Sequence, residues 1–391
     1  MHVLFTFAGG SGHFEPLVPI ARAAAAAGHM VAFGGQSVMI PAIEAAGFTA
    51  FAMAGATLSA TPERLPLLKL DAEREDRDLR EGFATRLARQ RCAAVLGLCE
   101  EWQPDLVVCD EVDFGAIVAA ERLGLPYATV LVIAAGSFVR EEVVGEPLNQ
   151  LRAEHGLPPD PDLAMLSRYL VLSPFPPSYR DPAFPLPVTA HSLRPLALEA
   201  AQNDSAPAWV ARLSGAPTIY FTLGTVFNVE SGDLFERVLA GLRELPINLI
   251  ATVGRQIDPE EFGPQAANIH IERYISQALI LPYCDLVVSH GGSGSVIGAL
   301  AHGLPSVLIP MGADQPLNAA RCADLGVARV LDAVEATLES VREAVSSVLA
   351  DPSYRQAAER IRDEIATLPA AEYAVTLLER LAAERRPIFS A

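Results

Sequence analysis

Short apolar runs alternate with Ala-rich stretches twice along this 391-residue chain, once on each side of a proline-rich segment. In the first half, candidate strands at Val3–Phe7, Met30–Phe33, Thr49–Met53, Leu106–Cys109 and Tyr127–Val132 are separated by candidate helices at Pro16–Ala27, Val38–Ala46, Phe83–Trp102 and Phe114–Leu123. Gly28, Gly47 and Gly124 follow three of those helices, where C-terminal caps belong. This rhythm predicts right-handed βαβ units and a parallel sheet. Ser173-Pro-Phe-Pro-Pro177 and Pro182, Pro185, Pro187, Pro195 and Pro207 then mark the end of one domain and a linker. Beyond them the alternation restarts, with strands at Thr218–Leu223, Asn248–Val253, Ile269–Ile271, Leu286–Ser289, Ser306–Ile309 and Ala328–Leu331.

The expected fold class is therefore α/β, with two Rossmann-like doubly wound parallel-sheet domains facing across a cleft. The first domain spans 1–196, a linker 197–208 and the second domain 209–370, and 371–391 forms a C-terminal helix placed to pack back on the first domain. Ligands in such folds bind beyond the carboxyl ends of the strands. Residues 56–82 break the rhythm, and their charged run Asp71-Ala-Glu-Arg-Glu-Asp-Arg-Asp78 reads as a solvated insertion or an acceptor-side loop or helix.

Composition agrees and excludes several function classes. Apolar residues make up 51% and charged residues 19%, which suits strands buried on both faces. No apolar run reaches about 20 residues, the length of a membrane span, and no basic start precedes an apolar leader. We therefore expect a cytoplasmic enzyme without membrane insertion. Cys92, Cys99, Cys109, Cys284 and Cys322 include no C-x-x-C pair and are odd in number, so neither a zinc site nor a disulfide framework is expected. The net charge of −18 and the absence of a basic run argue against nucleic acid. That charge also repels anionic ligands at long range, so a phosphate site must rely on local donors.

One segment supplies such donors. Ser289-His-Gly-Gly-Ser-Gly-Ser-Val-Ile-Gly-Ala-Leu300 follows a strand and opens a helix. Gly291, Gly292 and Gly294 allow close backbone approach, while Ser293, Ser295 and His290 add side-chain donors. Amides of the first helical turn then face the ligand at the positive end of the helix dipole. The pattern is neither a Walker A loop, lacking Gly-Lys-Ser/Thr, nor a dinucleotide fingerprint. Just past the next strand, Met311-Gly-Ala-Asp-Gln-Pro-Leu-Asn318 brings Asp314 and Gln315 to the same sheet edge. A carboxylate beside an amide can chelate vicinal sugar hydroxyls; an Asp there can also simply cap a helix.

At the N-terminus, Gly9-Gly-Ser-Gly-His-Phe-Glu-Pro16 follows the first strand. An imidazole at that edge, His13, can act as a general base. Asp110, in Val107-Val-Cys-Asp-Glu111, is its first candidate partner, and Asp113 the second. The third glycine of a dinucleotide site is missing here, which removes the main support for an oxidoreductase.

With these motifs in hand, the chain resembles the nucleotide-sugar-dependent glycosyltransferases of the GT-B fold. More narrowly, it resembles the actinobacterial natural-product branch of family 1. The likeness is most specific from Glu272 to Leu331 and weakest from Ala56 to Gln90 and from Val139 to Ala206. It implies that Tyr274, in the Tyr274-Ile-Ser-Gln277 motif, lies along the base and that Gln277 lies near base and ribose. It implies a pyrophosphate held by His290, Gly292, Ser293, Gly294 and Ser295, with Thr222 and Thr225 from Phe221-Thr-Leu-Gly-Thr225 beside it, and a donor sugar contacted by Asp314 and Gln315. His13 matches the acceptor-activating histidine and Asp110 its orienting aspartate.

Many UDP-sugar members carry a ribose-binding Glu where this chain has Gly298. A 2′-deoxyribose would not miss that contact, so the resemblance implies a dTDP-sugar donor in preference to a UDP-sugar. The expected activity is inverting transfer of a deoxysugar to a hydroxyl or carbon of a small natural-product aglycone, by a monomer or homodimer. No metal and no cofactor beyond the donor substrate are expected. A UDP-sugar transferase, a sugar-nucleotide epimerase or a wall-synthesis transferase of the same fold, and a non-catalytic auxiliary protein are the competing readings. The acceptor would be read by residues 56–90 and 135–150, the least patterned parts of the chain.

Overall fold

A computed structural model describes residues 1–55, 65–195, 205–225 and 227–390. The expected linker 197–208 falls largely outside them, as do residues 56–64 of the insertion. Two compact units are present. One holds the described residues of Met1–Ala60, Ala72–Leu196 and Leu368–Ala391; the other holds those of Thr61–Asp71 and Ala197–Thr367. Among the described residues, no helix is long and apolar enough to cross a membrane.

The first unit is built on a seven-stranded sheet. Its strands are β1 (His2–Thr6), β2 (Met30–Gly35), β3 (Thr49–Ala52), β4 (Leu106–Asp110), β5 (Tyr127–Val130), β6 (Leu170–Ser173) and β7 (Ala190–Ser192), in the order β3-β2-β1-β4-β5-β6-β7. All neighbours pair parallel. Strands of this kind are covered by helices on both faces, which is why Val3, Leu4 and Phe5 in β1 and Leu106, Val107 and Val108 in β4 are all fully buried. The helix Phe114–Leu123 illustrates the sequence signals: the Asp113 side chain accepts the Ala116 amide at its start, and Gly124 closes it at φ 64°.

Three parts of this unit depart from expectation. β6 and β7 were not anticipated; β7 lies inside the stretch read as domain end and linker, where three residues after Pro187 are too few to show a period. The charged run at 71–78 takes the helical form of its second reading from Ala72 onward, not that of a separate insertion. It opens a helical stretch that runs from Ala72 through a π-helical segment at Asp78–Leu87 and on through Ala88 to Trp102. The unpatterned region 135–150 contains the helix Glu141–Glu154, with Pro147 inside it. Arg80 joins the two, donating to Val143 O at 3.1 Å and pairing with Glu146.

The C-terminal helix Ala371–Glu384 belongs to this unit. Its Leu377, Leu378 and Leu381 sit in the same apolar core as β1 and β4. Arg194 N–H donates to Pro369 O at 2.7 Å, and His29 meets Glu379 at 3.0 Å.

The second unit carries a six-stranded parallel sheet in the order β10-β9-β8-β11-β12-β13. Its strands are β8 (Thr218–Thr222), β9 (Asn248–Thr252), β10 (Ile269–Glu272), β11 (Leu286–Ser289), β12 (Ser306–Leu308) and β13 (Ala328–Val330). Residues 65–71 pack on it: Leu65 N–H donates to Val229 O at 2.7 Å, and Gly232 N–H returns a bond to Leu65 O.

Candidate active site

In the first unit, β1 and β4 are neighbours, with Thr6 opposite Cys109. Their carboxyl ends therefore lie side by side, and the loop after β1 forms the short helix Ser11–Phe14. This brings His13 to Asp110, with Nδ1 2.9 Å from Oδ2. Asp110 is fully buried, and four groups hold it: Ala8 N–H at 2.9 Å and His13 on Oδ2, and Val112 N–H at 2.9 Å and Asp113 N–H at 2.7 Å on Oδ1. A carboxylate so fixed accepts a proton-bearing Nδ1 and leaves the lone pair on Nε2. The imidazole lies against the Gly9 backbone, where an added Cβ would fall 2.1 Å from its Cδ2. Gln36, buried just past β2, donates to Gly9 O at 2.7 Å and holds that peptide.

Asp113, the alternative partner, is committed elsewhere. It forms a buried ion pair with Arg91 at 2.6 Å and caps the following helix. Beside Asp110, the half-buried Glu111 accepts the amides of Val132 and Ile133 at 2.6 Å each, which fixes the loop after β5. Burial raises its pKa to about 7.

In the second unit, β8 and β11 pair with Thr222 opposite Ser289. The loop after β11 leads through His290 to the helix Ser293–Ala301, with Gly292 as its N-cap. By helix geometry the amides of Gly294 and Ser295 have no carbonyl within the helix to donate to. His290 is wedged between two backbones: a Cβ on Gly292 would meet its Nε2 at 2.5 Å, and one on Gly224, at φ +82°, would meet it at 2.6 Å. Among the described residues, its Nδ1 is buried without a hydrogen-bond partner. Burial lowers its pKa to about 4, so the ring is neutral near pH 7.

The other predicted positions fall into two groups. Ser293 Oγ donates to Asp314 Oδ2 at 2.7 Å, which joins the cradle to the loop after β12. Gln277 Nε2 donates to Ser295 Oγ at 3.3 Å, and its Oε1 lies 3.1 Å from where a Cβ on Gly298 would stand. Tyr274 is 45% exposed, and the Arg255 guanidinium sits 4.2 Å from its ring centroid. Thr225 is exposed. Two of the predicted positions also make bonds within the scaffold. Thr222 is buried, and its Oγ1 accepts Gly224 N–H at 3.2 Å. Gln315 is 2% exposed, and its Oε1 accepts Met311 N–H at 2.8 Å, so it stiffens the loop that presents Asp314.

Ala313, directly before Asp314, has φ 52°. A left-handed non-glycine residue costs about 1–3 kcal/mol and marks a loop held in place by its surroundings. Asn318 was not anticipated. It is fully buried and donates to Gly291 O at 3.0 Å, Ser293 Oγ at 3.1 Å and Asp314 Oδ2 at 2.8 Å. The one sequence signal for it is its position one helical turn after Asp314. Among the described residues, no group of three or more His, Cys, Asp or Glu side chains could hold a metal ion.

Comparison with known proteins bears on the fold and the activity. Residues 236–381 match the family described as erythromycin biosynthesis protein CIII-like, C-terminal domain. The chain is 28% identical to 4'-demethylrebeccamycin synthase of Lentzea aerocolonigenes, over 97% of this chain and 99% of that one. It is also 28% identical to the TDP-daunosamine transferase DnrS of Streptomyces peucetius, over 99% and 98%. Among solved structures, the spinosyn forosaminyltransferase SpnP superposes with a TM-score of 0.76 at 27% identity, covering 98% and 99%. The spinosyn rhamnosyltransferase SpnG complexed with thymidine diphosphate does so at 0.81 and 24%, covering 97% and 100%, a likeness of fold. The chain is a glycosyltransferase of the GT-B fold, akin to the actinobacterial antibiotic-biosynthesis branch of family 1.

Proposed function

We propose that this enzyme moves a deoxysugar from a dTDP-sugar to a hydroxyl of a small natural-product acceptor, inverting the anomeric carbon. The observation that carries the reading is the His13–Asp110 pair, with its 2.9 Å contact and fully buried carboxylate. His13 Nε2 takes the proton of the acceptor hydroxyl as that oxygen bonds to the anomeric carbon. The bond from that carbon to the diphosphate oxygen breaks, and dTDP leaves with the electron pair. Asp110 holds the ring and stabilises the imidazolium.

The leaving diphosphate is received by the amides of Gly294 and Ser295, the hydroxyls of Ser295 and Thr225, and neutral His290, while the Ser293 hydroxyl holds Asp314. Charge-assisted bonds of this kind contribute roughly 1.5–3 kcal/mol each, enough in number to dispense with a divalent metal. Tyr274 and Gln277 take the nucleoside, and Asp314 takes sugar hydroxyls. Gly298 leaves no carboxylate for a ribose, which favours thymidine; the relative named for TDP-daunosamine supports the same choice. We place the enzyme in the cytoplasm, where its five free, buried cysteines stay reduced.

Thermal denaturation with dTDP and UDP tests the donor. A ligand at a hundredfold excess over its Kd stabilises the fold by about 2.7 kcal/mol. We expect the larger rise with dTDP, and dTDP release from a dTDP-sugar only when an aglycone is present, even with a chelator. A larger rise with UDP, or turnover that stops on chelation, contradicts the proposal.

A further inference from the structure

We propose that Arg255 is the permanent cation of the nucleotide-sugar site, reaching the diphosphate from its seat on the Tyr274 ring. The inference rests on the donor-site reading above and deepens it.

Arg255 and Tyr274 lie just past the ends of neighbouring strands, since Thr252 of β9 pairs with Glu272 of β10. β9 is itself the neighbour of β8, whose end carries Gly224 and the His290 wedge. Both residues therefore stand on the carboxyl edge of the sheet that forms the phosphate cradle. The loop bearing Arg255 is anchored. Buried Asn228 donates to Val253 O at 2.8 Å, and its amide leaves no room for a side chain at Gly254. A guanidinium resting on an aromatic ring still has its in-plane N–H donors to offer a third group.

The charges around the cradle leave a role for such a cation. His290 is kept neutral by burial, Asp314 brings a negative charge, and the whole chain carries −18. The nearby Arg273 is already neutralised: it pairs with Asp258 at 3.0 Å and donates to Ile257 O at 3.1 Å. Among the described residues, Arg255 has no carboxylate partner. A diphosphate entering this edge would otherwise meet neutral donors alone.

The test compares dTDP and thymidine on the full-length enzyme and on Arg255→Ala, each over a series of NaCl concentrations. Arg255 is exposed, so its removal should leave the melting temperature in place. We expect dTDP binding to weaken on the order of tenfold, thymidine binding to hold, and the salt dependence of dTDP binding to flatten. Arg255→Lys should recover part of the loss, because the charge remains while the planar stacking does not. An unchanged dTDP affinity, or an equal loss for thymidine, overturns the assignment. His290→Ala separates the two levels. If it weakens dTDP while Arg255→Ala does not, only the Arg255 assignment fails; if neither variant changes dTDP binding, the donor-site reading fails with it.

Discussion

His13 Nδ1 and Ala8 N–H converge on the same oxygen of Asp110, each at 2.9 Å. The other oxygen accepts two more amides, so every acceptor position in use faces a donor. Asp110→Asn must turn an NH2 group toward one of those pairs. Loss of an oriented general base lowers kcat by about 10²–10⁴-fold. A buried donor left unpaired should also cost about 1–3 kcal/mol of stability. We expect both effects, with dTDP affinity unchanged; kcat from nucleotide release, a urea titration and a dTDP titration read them separately.

Gly292→Ala tests the wedge around His290. The new Cβ would stand 2.5 Å from Nε2, and the opposite side is closed by Gly224, so the ring must leave its position. dTDP should bind at least about tenfold more weakly, and turnover at saturating donor should fall as well, because His290 also receives the leaving diphosphate. Calorimetric titration and saturation kinetics provide the check.

Two groups with shifted pKa values give the units opposite pH responses. The pKa of His290 is about 4 when folded, against an ordinary 6.5. Its contribution to the second unit is present above pH 6.5 and is lost as pH falls toward 4, about 3 kcal/mol in all. The pKa of Glu111 is about 7 when folded, against 4.5. Its contribution to the first unit is present below pH 4.5 and is lost as pH rises through 7. Glu111→Gln can still accept the Val132 and Ile133 amides, so it should stabilise the first unit at pH 8 and have little effect at pH 4. Urea midpoints across that range measure the difference.

Gly298→Glu should shift donor preference. Its Cβ would press on Gln277 Oε1 at 3.1 Å and displace that amide from Ser295, leaving a carboxylate in its place. The ratio of UDP to dTDP affinity should rise by about tenfold, on the scale of a bidentate hydrogen bond gained by the ribose. Competition between the two nucleotides reports it.

Most of the parallel strands were legible in the sequence, β6 and β7 excepted, because burial on both faces writes continuous runs such as Val3–Phe5 and Leu106–Val108. β7, with three residues, carries no period, and Pro147 hid the helix Glu141–Glu154. Glycine-serine spacing revealed the cradle, since close backbone approach and helix amides are local features. Partners joined through space were not legible. Asn318 meets Gly291 across 27 residues, Gln36 meets Gly9 across 27, and no short-range pattern records either pairing. The inward turn of Thr222 and Gln315 was likewise invisible, because a side chain's direction depends on packing that the motif does not contain.

The central claim is that His13 activates the acceptor while the second unit holds the donor. It is tested most directly by measuring dTDP affinity and acceptor-dependent dTDP release on His13→Ala. The account predicts that release falls by about 10²-fold or more while dTDP affinity stays within about twofold. Retained release, or dTDP affinity lost along with it, would contradict the account.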